Sequence, residues 1–304
     1  MARILATATM PATLGEWVQG WIGGGEALVS LVVAWNSSVE FCMPEEGESV
    51  PRTGEKAIRA FETARRIFSR DGGSGTIPED GFINVINPFP SARGLATSTM
   101  DIAGTFAAVA AYTGNSPTDE ELFSLCADIE PSDGIMFEGL ALVDHINGNL
   151  MERLPPPPDM QIVALIPSRK LDTADYRRNG SLLDAIRAGA RQHVLAYETL
   201  KRGLEKGDAA LTARGATLSA EAQQRIMPRE EWDVITETAS ASGALGIAVA
   251  HSGTASGLLF APSNKFGAEL AENMFRIAFS DPSASEVTVR RTTTSGGGFF
   301  SERI

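Results

Sequence analysis

Cysteine is nearly absent. Cys42 and Cys126 are the only two in 304 residues, too few for a disulfide framework or a zinc-cysteine site. Each reads as a small buried hydrophobe, and the setting expected from them is reducing and cytoplasmic. Long apolar runs are missing too. The longest strand-like one, Ala27 to Trp35, is far too short to span a bilayer. The start of the chain, Met-Ala-Arg followed soon by Pro11, Gly15 and Glu16, has no apolar signal-peptide core. The three histidines, His145, His193 and His251, have no metal-ligand spacing. There is no Gly-x4-Gly-Lys-Ser/Thr phosphate loop, and no Gly-x-Gly-x-x-Gly after a strand, which argues against a dinucleotide fold. Without a His-Arg-Asp and Asp-Phe-Gly pair the chain is no protein kinase of the usual type. No Gly-x-Ser-x-Gly elbow supports a serine hydrolase. Positive charge is also short: the formal net charge is −12, which argues against a nucleic-acid partner. No membrane partner is expected either.

Against these absences stands the stretch Pro88-Phe-Pro-Ser-Ala-Arg-Gly-Leu-Ala-Thr-Ser-Thr-Met-Asp101. It has a proline-marked entry, a glycine, and then small and hydroxylated residues. It leads into Asp101 to Tyr112, which reads as a helix rich in alanine. A loop that opens a helix offers unpaired N–H groups and the positive end of the helix dipole, a setting suited to phosphate. Short side chains at Ala96, Thr97 and Ser98 let a nucleotide approach the backbone, and a hydroxyl there can reach a magnesium ion. The plainer alternative is that these Ser and Thr residues only cap the helix. An acidic protein that binds a polyanionic nucleotide needs local compensation, from backbone N–H donors, a few arginines and Mg²⁺.

Composition is that of an ordinary globular protein, 43% hydrophobic and 21% charged, long enough for one large or two medium domains. The first 41 residues read as strands and turns, with Ala27–Trp35 a buried β-branched run. Glu55 to Arg70 reads as an amphipathic helix with Ile58, Phe61, Ala64 and Phe68 on one face. Gly81 to Asn87 reads as a strand, and Thr118 to Ile129 as a helix with acidic residues in its first turn. Four consecutive prolines, Pro155 to Pro158, form a stiff extended run and mark the expected boundary between an N-terminal domain (1–154) and a C-terminal one (159–304). Beyond it, Gln161–Ile166 reads as a strand, Ser181–Arg202 and Asp208–Gln224 as helices, and Gly246–Phe260 as two strands around a Gly/Ser turn. Lys265–Phe279 reads as a helix and Val287–Arg291 as a strand. Helices and strands mix without strict alternation, so the expected class is α+β.

Pro90-Ser-Ala-Arg-Gly-Leu-Ala-Thr-Ser-Thr99 resembles the second signature of the GHMP kinases, a Pro-x3-Gly-Leu-(Gly/Ala)-Ser-Ser-(Ala/Thr) phosphate loop. Pro11-Ala-Thr-Leu-Gly-Glu-Trp-Val-Gln-Gly20 sits where that family has its first signature, and Thr292-Thr-Thr-Ser-Gly-Gly-Gly298 where it has its glycine-rich third. Within the family, Gly15–Gly20, Gly94–Ala103, Glu130-Pro-Ser-Asp133, Asp172-Thr173 and His251–Gly257 resemble the L-threonine kinases of cobalamin synthesis. There are two departures. Arg93 stands in the loop, and Gly134 follows Asp133 where a serine is expected.

The resemblance implies a GHMP fold of two α+β domains with the active site in the cleft between them, and phosphorylation of the L-threonine hydroxyl by ATP. The nucleotide would lie on Pro90, Arg93, Gly94, Leu95, Ala96, Thr97, Ser98 and Thr99. Ser98 and Glu130 would hold Mg²⁺, an ion that prefers hard oxygen ligands. Asp133 would orient or deprotonate the substrate hydroxyl, although Pro-Ser-Asp-Gly also suits a turn-capping aspartate. Substrate contacts are expected from Glu16, Gln19, Ser252, Gly253, Thr254 and Arg291. Arg177 and Arg178 are further candidates for the substrate carboxylate, because arginine forms bidentate pairs. His145 and His251 read more readily as structural than as site residues. The alternatives are another specificity such as homoserine, or a catalytically silent metabolite-binding regulator. Oligomeric state is not written in the sequence, and a homodimer is compatible with it.

Overall fold

The structure, a computed structural model, describes residues 2–45, 50, 53–69, 76–169, 180–280 and 286–304. Its backbone feature is a long hairpin. Strand β1 (Arg3–Ile22) returns as β2 (Gly25–Met43) through Gly23 and Gly24, whose φ values of 65° and 93° meet the left-handed demand of a two-residue hairpin turn. Strands this long cannot stay flat, and the β1–β2 register shifts several times, including on both sides of Glu16.

The remaining strands are β3 (Phe82–Ile86), β4 (Leu140–Asp144), β5 (Asn149–Leu154), β6 (Gln161–Pro167), β7 (Gly246–Val249), β8 (Ser256–Phe260), β9 (Val287–Thr293) and β10 (Phe300–Arg303). They form one sheet in the order β5-β4-β2-β1-β7-β8-β6-β9, with β3 added to β2 and β10 to β1. The pairings between strands are antiparallel. Around the sheet lie helices α1 (Glu55–Phe68), α2 (Thr97–Thr113), α3 (Asp119–Ile129), α4 (Gly180–Ala188), α5 (Ala190–Lys206), α6 (Ala209–Ile226), α7 (Trp232–Ser242) and α8 (Lys265–Ala278). The class is the α+β expected.

Helix α2 is central. It is apolar on nearly every side and packs on both β1 and β2, as a fully buried helix must. Gly104 makes the approach possible, because a Cβ there would stand 2.5 Å from Val39 Cγ2. A large core joins β1, β2, α1 and α2, and a smaller one gathers β6, β8, α7 and α8.

The structure corrects several expectations. Helix α2 opens at Thr97, not Asp101. The buried stripe of α1 is Ala57, Ala60, Ala64 and Phe68, while Ile58 is 45% exposed. Gly189 splits the helix expected over 181–202 into α4 and α5. Strands β4, β5 and β10 and helix α7 had no reading in the sequence. Both cysteines are buried thiols outside any disulfide. No helix among the described residues is long and apolar enough to cross a membrane.

Pro155–Pro158 carries the chain from β5 at one edge of the sheet to β6 near the other, and we propose it as the division between the halves. Even so, β1 and β7 meet at Glu16↔Val249 and β10 returns to β1, so the sheet runs unbroken through both.

Candidate active site

The β3–α2 loop and the first turn of α2 form one wall of a cavity of about 820 Å³. Among the described residues the only two non-glycine residues with positive φ lie in this loop, Ala92 at 59° and Ala96 at 57°. A left-handed alanine costs on the order of 1–2 kcal/mol. Such strain persists only where the surroundings enforce it, and it concentrates at functional sites. At Ala96 its effect is visible. Ala96 is the N-cap of α2, with no side-chain cap bond and no acidic residue in the first turn. The N–H groups of that turn are thus left open toward the cavity, lined by Gly94 through Thr99. The loop is held from behind. Gly94 O accepts from Gly15 N at 2.9 Å, Arg93 O accepts from Ala255 N at 2.9 Å, and a Cβ on Gly94 would sit 2.2 Å from Ala250 Cβ.

Opposite the loop, α3 ends at Ile129 because Pro131 forces Glu130 into an extended conformation, φ −163° and ψ 161°. The Glu130 carboxylate then faces α2. It accepts from the Ser98 hydroxyl and pairs with Lys56 of α1. Asp101, one turn beyond Thr97, also lines the cavity and accepts from Asn87 Nδ2 at 2.8 Å. Removal from water raises its pKa, and Glu130 nearby adds to that, while Asn87 and Lys56 oppose it. Ser98, Asp101 and Glu130 offer only oxygen, the donor set Mg²⁺ takes.

Deeper in, Asp133 is tied to Thr99. The Thr99 hydroxyl accepts from Asp133 N at 3.2 Å and donates to Asp133 Oδ2 at 3.4 Å. Desolvation, with Glu130 adding to it, pushes the Asp133 carboxyl up to about 6, against the pull of its hydrogen bonds to Thr99 and Glu16. Glu16, 4% exposed on β1, is raised well above its usual value by burial and then by Asp133. Two carboxyls this close cannot both ionise freely. At Gly134, where a serine was expected, a Cβ would stand 3.3 Å from Val143 Cγ1, a tight fit that needs Val143 to give by a few tenths of an ångström.

Of the expected site residues, the structure brings Gly94, Leu95, Ala96, Thr97, Ser98, Thr99, Glu130, Asp133, Glu16 and Ser252 to the cavity. It places others elsewhere. Pro90 is exposed and off the cavity wall. The Arg93 guanidinium turns inward, donating to the carbonyls of Ser91, Ala92 and Ser168, so it struts the loop from off the cavity wall. Gln19 Nε2 donates to Val249 O at 3.1 Å behind the wall. Gly253 is the contact that lets the β7–β8 turn touch the loop; a Cβ there would lie 2.2 Å from Arg93 C. The Thr254 hydroxyl bonds the carbonyls of Pro167 and Arg169 at 3.3 and 3.4 Å. Arg291 is exposed on β9 and paired with Glu272 of α8, away from the cavity. Asp172, Thr173, Arg177 and Arg178 lie outside the described residues. The glycine-rich 295–298 segment also misses the cavity. It braces the stretch after Asp133, with Gly298 N on Ile135 O and Gly297 N on Gly139 O at 2.9 and 2.8 Å.

Lys56, Asn87 and Asp101 were missed by sequence reasoning, and His145 and His251 read as structural, yet all line the cavity. Asp101 was findable: it stands four residues after Thr97, on the same helix face. Lys56 carried no local signal.

An open helix N-terminus under a strained loop, oxygen ligands beside it and a buried carboxyl facing a cavity define a small-molecule kinase, and the chain belongs to the GHMP kinases. Residues 55–138 match the family described as GHMP kinases N terminal domain. More particularly, the chain is 33% identical to the L-threonine kinase of Citrobacter freundii, over 84% of this chain and 86% of that protein. With the L-threonine kinase of Salmonella typhimurium it shares 31%, over 84% and 83%. Among solved structures, the homoserine kinase of Cytophaga hutchinsonii superposes with a TM-score of 0.68 at 16% identity, covering 97% of each chain.

Proposed function

We propose that this kinase transfers the γ-phosphoryl group of ATP to the side-chain hydroxyl of L-threonine, yielding O-phospho-L-threonine, a product that serves the aminopropanol linker of cobalamin. The specificity rests on the two L-threonine kinases that align with most of the chain. The observation that carries phosphoryl transfer is the uncapped first turn of α2 beneath left-handed Ala96, a ready anion site.

Phosphoryl transfer asks a protein mainly for positioning and charge stabilisation. The N–H groups of Thr97, Ser98 and Thr99 orient the phosphates. Mg²⁺ fits the oxygen donors of Ser98, Glu130 and Asp101, where it would neutralise charge that builds on the transferred group. Asp133 lies across from them and accepts the proton of the attacking hydroxyl, a contribution of about 10²–10⁴-fold. With its carboxyl near 6, Asp133 is mostly ionised at neutral pH and remains a useful base. Glu16, its carboxyl raised by burial and by Asp133, can turn its buried Oε2, which has no hydrogen-bond partner, toward the substrate ammonium or hydroxyl.

The test is ADP release with Mg-ATP against L-threonine, L-serine, L-homoserine and mevalonate. Turnover led by threonine is expected. A lead by homoserine overturns the substrate and keeps the site, and nucleotide binding without turnover on any of them overturns the reading as a threonine kinase.

A further inference from the structure

Three residues far apart in sequence meet beside the cavity, two of them on its wall. Glu26 stands at the start of β2, His145 just after β4 and His251 just after β7. A ligand atom from each lies within 4.8 Å of the other two, and among the described residues this is the one group of three or more such side chains so placed. The imidazoles are 4% and 8% exposed and meet edge to face, with centroids 5.0 Å apart and planes at 75°. Both line the cavity.

We propose that Glu26, His145 and His251 form a binding site for a divalent transition metal of the zinc class, separate from the oxygen ligands at Ser98 and Glu130. The chemistry of the donors selects the ion. Two imidazole nitrogens and one carboxylate suit zinc and its neighbours in the first transition row, while Mg²⁺ and Ca²⁺ want oxygen throughout. Two histidines and one glutamate leave a four-coordinate ion one open position, here on the cavity side.

Distances permit it. Ligand atoms about 2.0–2.1 Å from a tetrahedral zinc lie about 3.3 Å from one another, so the widest present separation must close by at most about 1.5 Å. Rotation of the half-exposed Glu26 side chain supplies that movement. The two histidines need not move far, because their backbones are pinned. His145 O accepts from Ser132 N at 3.0 Å, and His251 O accepts from Gln223 Nε2 at 3.1 Å. These contacts fix the backbone from which each imidazole projects. The field of the site points the same way. Glu16, Glu55, Asp101, Glu130 and Asp133 line the cavity, against Lys56 as the single lysine or arginine among its lining residues. A cation is drawn into this cavity, and imidazoles decide which cation stays.

The ordinary alternative is that the two histidines and Glu26 only hydrogen-bond one another. Metal binding separates the two without reference to turnover. The whole chain, stripped with chelator, is titrated with Co²⁺ in excess Mg²⁺, following visible absorption and then displacement by Zn²⁺. One ion per chain with the strong absorption of tetrahedral cobalt is expected. Affinity should fall at least about tenfold in Glu26→Gln and more in His145→Gln and His251→Gln. Glu130→Gln should bind Co²⁺ as the unaltered chain does. Glu26 is half-exposed on the hairpin, so its variant keeps the test sound if a histidine variant fails to fold. No cobalt absorption, or binding that survives Glu26→Gln and disappears in Glu130→Gln, overturns the proposal.

Discussion

Replacing Asp133 with asparagine should raise stability while removing activity, and the gain should depend on pH. The Asp133 carboxyl is pushed from 3.8 up to about 6, first by its removal from water and then by Glu130. Below pH ~4 it is protonated whether the chain is folded or not, and it costs nothing. Between ~4 and ~6 the folded state holds a proton that the unfolded state has released, so stability falls as pH rises. Above ~6 the full cost stands. Each pH unit by which folding raises the carboxyl is worth about 1.4 kcal/mol, so that cost is about 3 kcal/mol at pH 8 and about 1 kcal/mol at pH 4.5. The carboxyl opens on a cavity, which trims both figures, and asparagine gives up the Glu16 hydrogen bond that favours the charged form, which trims the gain further. The difference between the two pH values, about 2 kcal/mol, is the firmer quantity. For a chain of this size it corresponds to about 3 °C in Tm. Thermal melts of both proteins at pH 8 and pH 4.5 measure it. ADP release should fall about 10²–10⁴-fold, and the rise of kcat/KM through pH ~6 should vanish. Equal Tm shifts at both pH values, or a destabilised variant at pH 8, would refute the reasoning that burial holds this group up.

Glu130→Gln should raise the Mg²⁺ concentration for half-maximal activity at least about tenfold, read from ADP release against Mg²⁺, with the fold intact. Gly94→Ala forces a φ of 84° on an alanine and drives its Cβ to 2.2 Å from Ala250 Cβ. A loss of more than about 3 kcal/mol is expected in denaturant melts, and a neutral result would mean the loop does not pack there. Arg93→Met leaves three carbonyls without their donor, so stability should fall by about 2–4 kcal/mol, with the Tm responding more than any ATP affinity measured on the folded fraction. Arg291→Ala breaks only an exposed pair and should change stability by under about 1 kcal/mol, leaving the KM for threonine unmoved; a tenfold rise in KM would return that arginine to the substrate site.

The second signature was legible because its chemistry is local. Its small and hydroxylated residues, Gly94 and Ala96 to Thr99, open helix α2 toward the cavity, and they lie close together in sequence. Glu130 and Pro131 were legible for the same reason, since a proline after a helix fixes the direction of the residue before it. What could not be read was depth. Arg93, Gln19 and Thr254 carry polar groups that suit a ligand as well as they suit a buried carbonyl, and only packing decides which they meet. Arg291 failed through register: on β9 it pairs opposite Val163 and its side chain finds Glu272. The histidines escaped a criterion based on spacing along the chain, because residues 26, 145 and 251 share no spacing. The helix start was misplaced because Ala96 is no recognisable cap. It takes the left-handed conformation that sequence alone assigns to glycine or asparagine.

The conformation of Ala96 exposes the logic of the site. An acidic chain that handles a polyanion must find positive potential somewhere, and a cavity lined by five acidic side chains, Glu16 and Asp133 not both ionised, and one lysine does not supply it from side chains. The lysine is itself occupied by Glu130. Backbone N–H groups are the remaining source, and a conventional Ser or Asp cap at position 96 would consume one of them. Ala96 cannot cap, so its conformational cost of about 1–2 kcal/mol leaves the donors open, and the bonds from Gly15 and Ala255 to the loop offset that cost. The same cavity repels a bare triphosphate through Asp101, Glu130 and Asp133. On the proposed reading, nucleotide and Mg²⁺ would bind as one event: Asp101 and Glu130, which disfavour ATP alone, would be ligands that favour it as its magnesium complex.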